Sequence, residues 1–293
     1  MTVVTASCPG ACGELFQGMA EGEYCLVSCP IDVRSVIRVE SSRGEGLVFP
    51  PEMSKTGRAA KAFLERRGGG FAIERLKGLP EGRGYASSTA DILAALACLA
   101  RLDGIYLTPE EATAIALSIE PTDSLAWPGL ALLDHRGGRV MEYLGPPPPM
   151  SVLVLDWGGA VDTEEFNRKY SASDLAPLSP LHAEAFSLVR GGIEEGDPEK
   201  TGRGASMSAR AWNGILEKPR LDECFALCTR LGGFGVCAAH SGTLTGILLP
   251  PEAGAQEADI LERAERELPR GWKGRLTAVV SGGATIEERN ERP

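Results

Sequence analysis

The run Leu79-Pro-Glu-Gly-Arg-Gly-Tyr-Ala-Ser-Ser-Thr-Ala-Asp91 leads without a spacer into Ser87 to Leu102, where Ala90, Leu93, Ala94, Ala97 and Ala100 recur at helical spacing. This junction constrains the fold more than any other stretch. Small residues let a helix lie close on a sheet, and the first N–H groups of that helix, unpaired within it, carry partial positive charge. Glycines just before it admit an anion to the backbone without a clashing Cβ. The junction can therefore cradle phosphates. A plainer alternative, that Ser87, Ser88 and Thr89 only cap a core helix, suits these residue types equally well. The segment lacks the Gly-Lys-Ser/Thr ending of a Walker A loop and the Gly-x-Gly-x-x-Gly of a dinucleotide fold.

The 293 residues exceed the usual size of one hydrophobic core, so two domains or one large one are expected. With 43% hydrophobic and 24% charged residues the composition is that of a globular protein. Forty acidic against 30 basic residues give a formal charge of -10, which argues against a nucleic-acid partner. The first ten residues lack a basic then apolar leader, and no stretch of about 18 apolar residues occurs, so no membrane partner and a cytoplasmic location are expected. Eight cysteines without a secretion signal read as reduced, buried thiols. Cys8 and Cys12, Cys25 and Cys29, and Cys224 and Cys228 repeat one spacing, but it is not that of a zinc knuckle.

Before the junction, Thr2 to Ser7, Tyr24 to Ser28 and Ser35 to Glu40 read as short strands, with Cys8 to Glu14 as a loop between. Met53 to Arg67 reads as a helix stopped by Gly68 to Gly70, and Phe71 to Leu76 as a strand. Thr108-Pro-Glu-Glu111 starts a helix expected to reach Ile119. Leu130 to Asp134 and Arg139 to Leu144 form a hairpin pattern. Gly145 and the four prolines Pro146 to Pro149 break the composition, which sets expected domains at 1–149 and 150–293. Strand patterns at Ser151 to Trp157, Val236 to Ala239, Thr245 to Leu249 and Leu276 to Ser281 alternate with four helical ones, at Ser179 to Glu195, Lys200 to Leu216, Leu221 to Leu231 and Glu257 to Glu267. The whole predicts an α+β chain with helices on an antiparallel or mixed sheet.

Two further glycine-bearing segments accompany the central one: Cys8-Pro-Gly-Ala-Cys-Gly-Glu14 after the first strand, and Ala239-His-Ser-Gly-Thr-Leu-Thr-Gly246 between two late strands. In order and approximate separation the three resemble the motifs of the GHMP kinases, the family of galactokinase, homoserine kinase and mevalonate kinase. The central motif departs from the family pattern at Tyr85, Ala86 and Thr89, and the third lacks an extended glycine run. Together with Ser-Ile-Glu-Pro-Thr-Asp-Ser at Ser118 to Ser124, those departures are similar to the L-threonine kinase branch of cobalamin biosynthesis. The resemblance runs from about residue 8 to 248.

The resemblance implies the GHMP kinase fold, two α/β sandwich domains with an ATP site between them, and ATP and Mg2+ as cofactors. Pro80, Gly82, Arg83, Gly84, Tyr85, Ala86, Ser87, Ser88 and Thr89 would hold the nucleotide. Ser88 and Glu120 would ligate the metal, and Asp123, with Ser88, would carry catalysis by orienting the acceptor hydroxyl or taking its proton. A threonine acceptor brings an ammonium and a carboxylate, so Glu14, Gln17, Asp32, Asp123, His240, Ser241 and Gly242 are candidates around it. Turn and strand-edge polarity is an equal reading of Glu14, Gln17 and Asp32, and a solvated helix end one of Glu120 and Asp123. Two other functions stay open beside the threonine kinase: another GHMP small-alcohol kinase with a homoserine-like or mevalonate-like substrate, or a catalytically silent binding protein. The partners expected are ATP and the small molecule L-threonine, and a homodimer is compatible with the sequence.

Overall fold

A computed structural model describes residues 2–42, 44–65, 69–159, 175–240 and 242–287. Two long strands organise it, β1 (Val3–Ala20) and β2 (Glu23–Ser42), joined by Glu21 and Gly22, both at positive φ. That pair of left-handed residues is the two-residue turn whose twist matches paired strands. The sequence predicts short strands with a loop at Cys8 to Glu14. Instead the segment stays in β1 and absorbs register shifts at Pro9/Gly10, Ala11/Glu14 and Glu14/Phe16. Bulges of this kind bend a strand and re-aim its side chains without ending it.

The chain continues through β3 (Gly46–Val48), α1 (Ser54–Leu64), β4 (Gly70–Lys77), α2 (Ser87–Asp103) and α3 (Pro109–Leu117) to the hairpin β5 (Leu130–Asp134) and β6 (Met141–Gly145). After the prolines come β7 (Ser151–Asp156), α4 (Ser179–Glu195), α5 (Pro198–Asn213), α6 (Leu221–Arg230), β8 (Gly235–Ala238), β9 (Leu244–Leu249), α7 (Glu257–Glu267), β10 (Lys273–Ala278) and β11 (Thr285–Glu287). One mixed sheet takes them in the order β10-β7-β9-β8-β1-β2-β4-β3, with β11 beside β1 and β5 between β2 and β6. Among the described residues only β3 and β4 pair in parallel. Strands from before and after the prolines meet where Glu14 of β1 faces Ala238 of β8 and where β11 pairs with Thr5 to Ser7 of β1.

Helix α2 is buried along most of its length, from Thr89 to Leu96 and from Cys98 to Ala100. Its alanines let it lie against β1 and β2, where Cys98 Sγ reaches the Ile37 carbonyl at 3.6 Å. Gly104 ends it in the left-handed conformation, returning its N–H to Ala100 and Arg101. Helix α3 starts with the reciprocal Thr108–Glu111 cap, and ends at Leu117, two residues before the expected Ile119. All eight cysteines are free and buried. Among the described residues no helix is long and apolar enough to cross a membrane.

Candidate active site

The three glycine-bearing segments converge at the start of α2. Ala86, the residue before the helix, has φ +54°, and no side chain caps the first turn. Ser87, Ser88 and Thr89 therefore do not act as caps: the Ser88 hydroxyl donates to Glu120, and Thr89 Oγ1 contacts Thr122 and Asp123. Among the described residues no side chain takes up the opening N–H groups, and groups of that kind can receive an anion.

Backbone hydrogen bonds lock the segments together. The N–H groups of Ala11 and Gly13 donate to the Tyr85 and Gly84 carbonyls at 3.0 and 3.1 Å. From the third segment, the N–H groups of Thr243 and Leu244 donate to the Arg83 carbonyl at 2.9 and 3.1 Å. Glycine makes this approach achievable. A Cβ on Gly13, at φ +57°, would lie 2.3 Å from the Ala239 nitrogen, and one on Gly242 would lie 2.3 Å from the Arg83 oxygen. Those contacts are with backbone, which cannot swing aside.

A cleft of about 460 Å³ opens over the α2 start, lined by Glu14, Glu52 to Thr56 at the entry into α1, Gly82, Gly84 to Thr89, Glu120, Pro121 and Asp123, with Arg75, Glu81 and Asp91 at its edge. All its lining residues precede residue 124. On one side Lys55 Nζ meets Glu120 Oε2 at 2.5 Å, while Glu120 Oε1 accepts from Ser88. The carboxylate is thus held between a cation and a hydroxyl at the helix start. Arg75, bridging Glu81 and the buried Asp91, supplies a second cation at the rim. Arg83 points out of its loop to Asp156 at 2.8 Å.

Asp123 stands opposite, half-buried, accepting from the Ser28 and Thr89 hydroxyls at 3.3 Å each. Burial first, then the nearby Glu14 charge, push its carboxyl up to about 7. Glu14, on the same wall, is also pushed up to about 7 by burial, against the His240 N–H and Lys218. Its Oε2 accepts from both the backbone N–H and ring Nδ1 of His240, at 2.8 and 2.7 Å. Burial and the Lys218 charge hold His240 well below its usual range, so the ring is neutral. With its proton on Nδ1, Nε2 is left to face Ser208 Oγ at 3.3 Å.

The sequence candidates divide clearly. Glu14, Ser88, Glu120 and Asp123 meet in the cleft with most of the nucleotide loop. Gln17 and His240 lie behind that wall: Gln17 is buried against the Tyr24 hydroxyl, and His240 reaches the cleft only through Glu14. Gly242 contacts Arg83, and Ser241 lies outside the described residues. Asp32 stands apart, its side chain 59% exposed and 3.8 Å from Arg34. Lys55, Ser28 and Lys218 join the site although none is among the residues the sequence singles out. None carries a local signal, since each gains its partner across 65, 95 or 22 residues.

The profile of the GHMP kinases N terminal domain matches residues 54–126. The L-threonine kinase of Salmonella typhimurium is 30% identical over 296 residues, covering 97% of this chain and 96% of that protein. The L-threonine kinase of Citrobacter freundii is 28% identical over 290 residues, covering 97% of this chain and 100% of that protein. A crystal structure of homoserine kinase from Cytophaga hutchinsonii shares the fold, with a TM-score of 0.76 at 15% identity and 98% of each chain covered.

Proposed function

The chain belongs to the GHMP kinase family, and from that premise we propose that it moves the γ-phosphoryl group of ATP to the hydroxyl of L-threonine, giving O-phospho-L-threonine and ADP. The family membership makes it an ATP-dependent phosphotransferase acting on an alcohol. The threonine substrate is our reading, supported by two relatives of that activity aligned over nearly the whole chain. A cytoplasmic location and a role in the aminopropanol arm of cobalamin biosynthesis belong to the same reading. So does the division at 149 and 150, supported by the prolines between β6 and β7.

One observation carries the site assignment: the uncapped start of α2, the Ser88–Glu120 contact and Asp123 all face one cleft. In this reading the amides from Gly82 to Thr89 hold the triphosphate. Ser88 and Glu120 fit magnesium, which takes hard oxygen ligands, one or two carboxylates at most, and completes its shell with phosphate and water. Among the described residues no group of three or more Asp, Glu, His or Cys side chains is placed to hold a metal ion by itself, and none is needed for an ion that phosphate and water help to bind. When bound there, magnesium would neutralise phosphate charge as the bond to the leaving oxygen breaks.

The chain's own residues do the rest. Asp123 orients the acceptor hydroxyl and accepts its proton as the oxygen bonds to phosphorus; a carboxyl titrating near 7 suits that task at neutral pH. Glu14, beside it, faces the substrate ammonium, and lining that ammonium up fixes which oxygen approaches. Incubation with ATP, magnesium and a panel of alcohols and amino acids, read by ADP release and product mass, tests the proposal. Turnover with homoserine or mevalonate but not threonine would overturn the substrate assignment.

A further inference from the structure

Lys218 lies between α5 and α6, at 3% exposure, and enters no ion pair among the described residues. Its Nζ donates instead to two carbonyl oxygens, those of His240 at 2.9 Å and Gly242 at 3.1 Å. Its own N–H is fixed by Asn213 Oδ1 at 2.7 Å. A buried ammonium satisfied by neutral carbonyls is a poor way to stabilise a fold, because desolvation works against it and an apolar side chain would pack at lower cost. Burial accordingly lowers its pKa to about 8.

The two carbonyls it grips belong to residues with different tasks. His240 aims its backbone N–H and ring at Glu14, the acid on the acceptor wall. Gly242 packs on Arg83, and the next two N–H groups, of Thr243 and Leu244, bond the Arg83 carbonyl inside the nucleotide loop. One ammonium therefore sits where both walls of the cleft are tied to the same turn. We propose that Lys218 is a positioning residue for phosphoryl transfer, holding the third glycine-bearing segment so that the nucleotide loop and Glu14 keep their relative placement. The inference rests on the cleft being the kinase site, and not on which alcohol it accepts.

The test compares Lys218→Met with Lys218→Arg, which keeps a charge and several donors. For folded Lys218→Met, kcat should fall roughly 10-fold, and the Kd for a fluorescent ATP analogue should rise roughly 3-fold or more, as expected for losing charge-assisted hydrogen bonds at a buried site. Lys218→Arg should recover most of both losses. A merely structural lysine would lower the melting temperature of Lys218→Met while leaving kcat and Kd per folded molecule within twofold, and that result overturns the proposal. Should the variants not fold, the wild type decides: the ATP analogue should slow amide exchange in the 214–220 and 239–244 peptides as well as at the α2 start, and no slowing there overturns the proposal. If the wild type fails to phosphorylate threonine, the substrate reading falls, while the nucleotide-binding arm still decides the role of Lys218.

Discussion

The wall of the cleft that we assign to phosphate and the wall that we assign to the acceptor obtain their polarity by different means. Around Gly82 to Thr89 it comes from main-chain amides and a helix start, held by close backbone contacts at Gly13 and Gly242. Around Glu14 and Asp123 it comes from one buried and one half-buried carboxyl, each pushed up to about 7, with a neutral His240 and a buried Lys218 behind them. Amide dipoles are fixed by the fold and do not titrate, so their contribution to the first wall does not change with pH, and the close backbone contacts there leave no room for added atoms. The second is sensitive to protonation and to any change in neighbouring charge.

The sharpest way to break this contrast is Asp123→Asn. It should lower kcat roughly 100-fold or more, the scale of a lost general base, with little change in the KM for ATP. The same residue sets a pH prediction. A carboxyl whose folded pKa is raised is protonated, and inactive as a base, below about 7, so kcat should climb between pH 6 and 8. Asp123→Asn should flatten that limb, whereas binding of an ATP analogue should change far less over the same range. A pH profile unchanged by the substitution would move the base elsewhere.

Ser88→Ala tests the other wall. Loss of the hydroxyl shared with Glu120 should raise the magnesium requirement and the KM for ATP roughly 10-fold, leaving the KM for the acceptor nearly constant. Gly242→Ala drives a methyl group into the Arg83 backbone, and should lower stability by about 1–3 kcal/mol, read as a fall of several degrees in Tm. Asp32→Ala, on an exposed side chain away from the cleft, should leave kcat and both KM values within about twofold. A larger effect would extend the acceptor wall to that strand.

How much of this was legible beforehand follows the same division. The loop into α2, its alanines, the Thr108 cap and the free cysteines announced themselves through local pattern, because propensity, capping and composition act over a few residues. The first segment reads as a loop in the sequence, since Pro9, Gly10 and Gly13 interrupt the alternation that marks a strand; pairing with β2 keeps it extended through bulges. Glu120 and Asp123 were visible as acids after α3, but as a solvated helix end they look much the same. Their partners Lys55, Ser28 and Thr89 come from distant segments.

By itself the sequence determined the helix that presents its amides, the glycines that let three segments touch, and the family resemblance those segments carry. Only the tertiary structure decided which candidate acids face the cleft. It turned Asp32 outward, put Gln17 and His240 behind Glu14, and brought Lys218 to the carbonyls of His240 and Gly242. The reason is physical. A backbone donor is fixed by local conformation, whereas the protonation and aim of a side chain depend on burial and on charges that become neighbours only when the sheet closes around them.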